Sequence, residues 1–75
     1  MTLNDLKLGQ KGLITDVTST NAALISRVMA LGIVPGEAIE LLRHAPLGDP
    51  LQIKAGATYI SVRKADSEFI KVRAC

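Results

Sequence analysis

The chain has 75 residues, 48% of them hydrophobic, and a formal net charge of +2, which describes a single folded domain over 1–75 and excludes a disordered segment. Cys75 is the only cysteine, so no internal disulfide can staple the fold, and a lone thiol agrees with a reducing compartment. Tyr59 and Phe69 are the only aromatic rings besides His44; the core must be aliphatic, and the mild charge permits acidic partners without demanding nucleic acid.

Residues 1–5, Met-Thr-Leu-Asn-Asp, lack the basic stretch and long apolar run of a secretory signal. No apolar run elsewhere is long enough to cross a bilayer before Gly32, Pro35 or a charge interrupts it. The expectation is a soluble, cytoplasmic protein. Residues 2–6 can form one capped turn with Leu3 and Leu6 facing inward. Gly9 and Gly12 flank Gln10-Lys11, read as a turn into a first strand over 13–17. That strand is rich in β-branched residues, although its alternation is not clean.

The stretch 19–36, STNAALISRVMALGIVPG, carries the strongest local signal. Leu24, Ile25, Val28, Met29 and Leu31 recur at helical spacing and predict a helix over 20–31. Thr20 or Ser19 can cap its first free N–H groups. Gly32 can end it in the left-handed conformation, and Pro35 forbids its continuation. Beyond the Pro35-Gly36 turn, Ile39 and Leu41 alternate with Glu40 and Arg43 in a second strand over 37–45, with Leu42 on the less buried side. The segment 45–50, Ala-Pro-Leu-Gly-Asp-Pro, is dense in turn formers and predicts a hairpin loop. A third strand over 51–55 has one wet face, Gly56 turns the chain, and Ile60 and Val62 point inward from a fourth strand over 58–63. Residues 64–68 form a turn or a single helical turn. The last strand, 69–73, points Ile70 and Val72 inward. The fold class is therefore mainly β with one inserted α-helix, a small partly open β-barrel that hides most of its strand edges.

The residues that could carry chemistry do not assemble into a recognisable pattern. His44, Cys75 and the seven carboxylates fall at no zinc-ligand spacing. His44 has no nucleophile placed beside it by any motif, and Gly9-x-x-Gly12 lacks the helix and Lys-Ser/Thr of a phosphate loop. The reading is a non-enzyme with no metal or cofactor. Lys54, Arg63, Lys71 and Arg73 occupy outward strand positions, so a basic face for RNA or the ribosome is the alternative reading. Only Tyr59 among the rings faces outward, and charges that simply solvate the polar face explain the pattern better.

On a helical wheel the apolar residues of 20–31 spread over roughly 160°, wider than the roughly 100° needed to cover one small barrel. One margin, Ile25–Met29 or Leu24–Leu31, is thus expected to stay partly exposed, and exposed Met and aliphatic side chains suit a protein contact. Self-association across a two-fold axis is the competing use of such a margin.

The run Leu31-Gly-Ile-Val-Pro-Gly-Glu37 followed by a strand, then Ala45-Pro-Leu-Gly-Asp-Pro50 and a further strand, closely resembles the FeoA family of bacterial ferrous-iron uptake. So does the ending Ile60-Ser-Val-Arg-Lys64 with Ile70-Lys-Val72. The resemblance covers essentially the whole chain and implies an SH3-like barrel. It also implies a cytoplasmic accessory protein acting on FeoB, the membrane permease whose N-terminal domain hydrolyses GTP, with any membrane association peripheral and through that partner. On this reading the docking surface joins Leu24, Ile25, Val28 and Met29 of the helix to Pro46, Leu47, Gly48, Asp49 and Pro50 of the loop. Leu47 is then the apolar tip, and Asp49 steadies the turn through nearby backbone N–H groups.

Overall fold

Strict alternation puts Ile39 and Leu41, Leu51, Ile53 and Ala55, Ile60 and Val62, and Ile70 and Val72 on one face of a sheet. In the computed structural model, which describes all 75 residues, every one of them is buried. The elements run β1 (Lys11–Val17), α1 (Ala22–Ala30), β2 (Ala38–His44), β3 (Leu51–Ala55), β4 (Thr58–Val62), α2 (Lys64–Ser67) and β5 (Ile70–Ala74), with 3-10 turns at Leu3–Asp5 and Pro46–Gly48. All strand pairs are antiparallel, in the order β4-β3-β2-β1-β5. The edge strands β4 and β5 do not pair with each other, so the sheet curls into a barrel that stays open on that side, mainly β with one inserted α-helix as expected. The core is wholly aliphatic and takes Leu3 and Leu6 from the N-terminal turn and Leu24 and Val28 from α1.

Two irregularities explain where alternation fails. β1 shifts register against β5 between Ile14 and Asp16, so Ile14 and Val17 both face the core with two exposed residues between them. β2 shifts against β3 between Leu41 and Arg43, which leaves Leu42 outside. β1 also begins earlier than the sequence predicts. Gly12 is not the end of a turn but a buried strand residue paired with Ile39 and Ala74. A Cβ there would lie 3.2 Å from the Arg73 carbonyl oxygen, tighter than most real contacts, so glycine lets β1 and β5 approach.

The N-terminal turn is held by the Thr2 N–H, which donates to Asp5 Oδ2 at 2.9 Å. That bond holds the Asp5 carboxyl below its usual 3.8.

α1 starts two residues later than expected. Its cap is Asn21 rather than Ser19 or Thr20: Asn21 Oδ1 accepts from the N–H groups of Ala23 (3.0 Å) and Leu24 (3.2 Å). Ser19 acts one step back, its Oγ accepting from the Asn21 N–H at 3.0 Å. Asparagine caps as well as serine and better than threonine, and its position allows the helix to begin at the first alanine. The other end is as predicted. Gly32 has φ +98°, its N–H donates to the Met29 carbonyl, and the Ile33 N–H reaches back to the Val28 carbonyl, each at 3.0 Å. This double bond pattern closes the helix and drives Ile33 completely inside.

Gly32→Val tests that stop. A β-branched residue at φ +98° is strained whatever space surrounds it, and the cost expected in a denaturation experiment is about 1–3 kcal/mol. An unchanged unfolding midpoint would mean that the helix ends without the left-handed residue.

Candidate functional site

Burial divides the predicted helix surface. Leu24 and Val28 are 7% and 4% exposed and belong to the core, so neither can lie on the exposed margin to which the sequence assigned them. The reason is the helix stop: Val28 lies one turn before Gly32 and goes inward with Ile33. Ile25 is half-buried and packs against the core. Met29 and Leu31, at 41% and 45% exposure, lie at the two opposite edges of the apolar arc, and both reach water.

The loop over 46–50 behaves differently from an ordinary hairpin turn. Leu47 is fully exposed, and its backbone lies in the left-handed region at φ +69°. A non-glycine residue pays about 1–2 kcal/mol for that conformation. The loop is nevertheless fixed. The Ala45 N–H donates to the Pro50 carbonyl at 2.9 Å, and the Gly48 N–H donates to the Ala45 carbonyl at 2.8 Å. Asp49 does accept a backbone N–H, but from Lys64, fifteen positions on in the chain, at 3.0 Å. Its carboxylate therefore ties the loop to the start of α2 rather than to its own turn.

α2 passes the connection on. Arg27 on α1 donates to Asp66 on α2 at 3.3 Å, and Ser67, completely buried, closes the short helix by donating its hydroxyl to the Lys64 carbonyl at 2.6 Å. The loop and α1, well separated in sequence, thus meet on either side of one four-residue helix. Nothing in the local sequence signals either bond, because both are tertiary pairings of common polar residues.

The basic face is mixed in charge. Glu40 pairs in register between Lys11 and Lys54, and the Lys54 ammonium sits over the Tyr59 ring, 5.7 Å from its centre. Phe69 is exposed as well, against expectation, but Tyr59, the more exposed of the two, has a cation on the face that a base would use. His44 and Cys75 are both exposed, and no three His, Cys, Asp or Glu side chains come together. No helix is long and apolar enough to cross a membrane.

Comparison with protein-family models matches the FeoA domain over residues 1–74. Among solved structures, the FeoA protein of Chlorobium tepidum superposes with a TM-score of 0.92 at 35% identity, covering 99% of this chain and 70% of that one. The iron(II) transport protein A of Clostridium thermocellum gives 0.91 at 35% identity, covering 99% of this chain and 45% of that one. The zinc-complexed FeoA of Stenotrophomonas maltophilia gives 0.85 at 29% identity, covering 97% and 89% respectively. That protein is described as a procaryotic SH3 domain protein and is put forward as a bacterial ferrous iron transport activating factor. The partly open barrel is SH3-like, as the sequence resemblance implied.

The Asp49–Lys64 bond is open to direct test. Asp49→Ala removes the acceptor, with an expected stability loss of about 1 kcal/mol and faster hydrogen exchange at the Lys64 amide than in the parent. Unchanged protection of that amide would show that the loop is held by its own turn alone.

Proposed function

This chain belongs to the FeoA family, and from that membership we propose that it is a non-enzymatic accessory protein of bacterial ferrous iron uptake, acting by binding the FeoB permease or its GTPase domain. Iron is the cargo of that partner and is not carried by this chain. The protein works in the cytoplasm and reaches the inner membrane only through the permease.

The observation that carries the reading is Leu47. An isolated loop gains nothing by holding a leucine fully in water on a left-handed backbone. Burying such a side chain in a partner returns about 1.5–3 kcal/mol. Residues kept in sparsely populated conformations by their surroundings concentrate at ligand clamps and contact sites. The braces from Ala45 and Asp49 keep the loop ordered before contact, which lowers the entropy cost of docking. Pro46 and Pro50 flank Leu47, and Gly48 at φ +80° completes its turn. Met29 supplies the second apolar contact, on the flank of α1 that also carries the half-buried Ile25.

The test is an amide chemical-shift titration of the labelled chain with the soluble GTPase domain of the cognate permease, with and without a GTP analogue. Leu47→Asp and Met29→Glu are each expected to weaken binding at least about tenfold, a loss of about 1.4 kcal/mol, with the remaining amide shifts unchanged. Folded variants that bind as tightly as the parent would overturn this surface.

A further inference from the structure

Soluble proteins block exposed strand edges with charges, proline, bulges or a covering segment, because an open edge is a template for another strand. The two edges of this sheet are treated differently. β5 carries Lys71 and Arg73, and its outer side is occupied: Thr2 bridges to Lys71, and the Val72 N–H donates to the Met1 carbonyl at 2.9 Å. β4, Thr-Tyr-Ile-Ser-Val, has no charge, no proline and no register shift, and no strand lies outside it.

The direction of the free groups follows from the hairpin. Gly56-Ala57 joins β3 to β4 as a two-residue turn closed by Ala55 and Thr58, so the pairs Ala55–Thr58, Ile53–Ile60 and Leu51–Val62 carry the ladder bonds. The main-chain N–H and C=O of Tyr59 and Ser61 then point to the open side. Neither residue takes part in any turn, loop, cap or side-chain hydrogen bond. Beside Ser61 runs a groove of about 230 Å³, walled by Arg27 and Val28 of α1, by Leu31 at its C-terminal cap, and by Ser61, Val62 and Arg63. Its apolar residues are Val28, Leu31 and Val62. Arg27 and Arg63 are exposed at its rim, with Lys64 next in the chain, and the one acid there, Asp66, is engaged by Arg27.

We propose that the free edge of β4 takes an extended, acidic segment of a partner protein as a further strand, laid in the groove between β4 and α1. The incoming main chain exchanges hydrogen bonds with Tyr59 and Ser61, alternate side chains meet Leu31 and Val62, and carboxylates meet the guanidinium of Arg63. Unpaired main-chain groups, an apolar trough and an excess of positive charge at the rim specify that occupant together. Where the partner is the permease the inference rests on the docking reading above, but strand addition is tested separately from it.

The full-length labelled chain is titrated with an end-blocked peptide of alternating glutamate and valine, and with the same peptide carrying lysine for glutamate. The acidic peptide is expected to shift the amides of Tyr59, Ser61 and Arg63 and the lysine peptide to leave them in place, with Arg63→Glu weakening the acidic peptide at least about tenfold. No shift with the acidic peptide, or equal shifts with both, overturns the proposal. Against the GTPase domain of the permease, Ser61→Pro removes an outward N–H and obstructs the edge, and is expected to weaken binding to a similar degree. Arg63→Glu breaks no ladder bond and keeps the test decisive should Ser61→Pro fail to fold. If both variants bind that domain like the parent while Leu47→Asp does not, the docking reading stands and strand addition to β4 is overturned. If the parent ignores the permease domain but the acidic peptide shifts β4, strand addition stands and the partner is another protein.

Discussion

The arrangement depends on the closure of α1 between Val28 and Ile33. Two backbone bonds across Gly32 bring these residues onto the core side of one tight turn, and both are buried in the aliphatic cluster. With Val28 committed inward, 3.6-residue periodicity sends Met29 and Leu31 towards water and Arg27 towards α2. The same turn delivers Gly36 and Glu37 beside Ile14, where the Gly36 N–H donates to the Ile14 carbonyl and the Ile14 N–H donates to the Glu37 carbonyl, and so registers β2 on β1. One left-handed glycine therefore sets both the rotation of the helix and the start of the second strand.

What the sequence disclosed and what it hid divide along a physical line. Alternation and turn chemistry are local, and they sufficed for the strands, for the 45–50 loop and for the stop at Gly32. The misassigned features need a partner from elsewhere in the chain. Gly12 looks like a turn glycine until the Arg73 carbonyl is placed 3.2 Å from its absent Cβ. Asp49 looks like a self-contained turn residue until Lys64 supplies the N–H. Val28 is the instructive exception, because the information was local: a helix closed by glycine pairs the residue after that glycine with one a turn earlier. The wheel already centres Val28 in the apolar arc, between Leu24 and Ile25, and the end effect turns it the same way; placing it on the docking surface goes against both.

The loop, α2 and α1 form one continuous structure held by few bonds. Lys64 N–H to Asp49 and Arg27 to Asp66 are both surface contacts, the second an ion pair with Arg27 more than half exposed. Pairs of that kind contribute about 0–1 kcal/mol each, so they orient the surface more than they stabilise it. The stability of the domain resides in the sixteen-residue aliphatic core beneath. Under the proposed docking role the separation matters, because the contact residues can change while the fold persists.

A small domain has little stability to spare, which gives weight to features that reduce it. A leucine on a left-handed backbone and an uncharged, unpaired strand edge both oppose folding or solubility, and each has an inexpensive local remedy: glycine at position 47, or a lysine in β4. The chain applies such remedies elsewhere, with glycine at the left-handed positions 32 and 36, and with Lys71 and Arg73 together with the N-terminal residues along β5. The Asp49–Lys64 bond ties the loop that carries Leu47 to the residues immediately after β4, so the two unremedied features are linked through the start of α2. A loop and a free edge joined by one bond suit the proposed reading, in which another protein completes this surface.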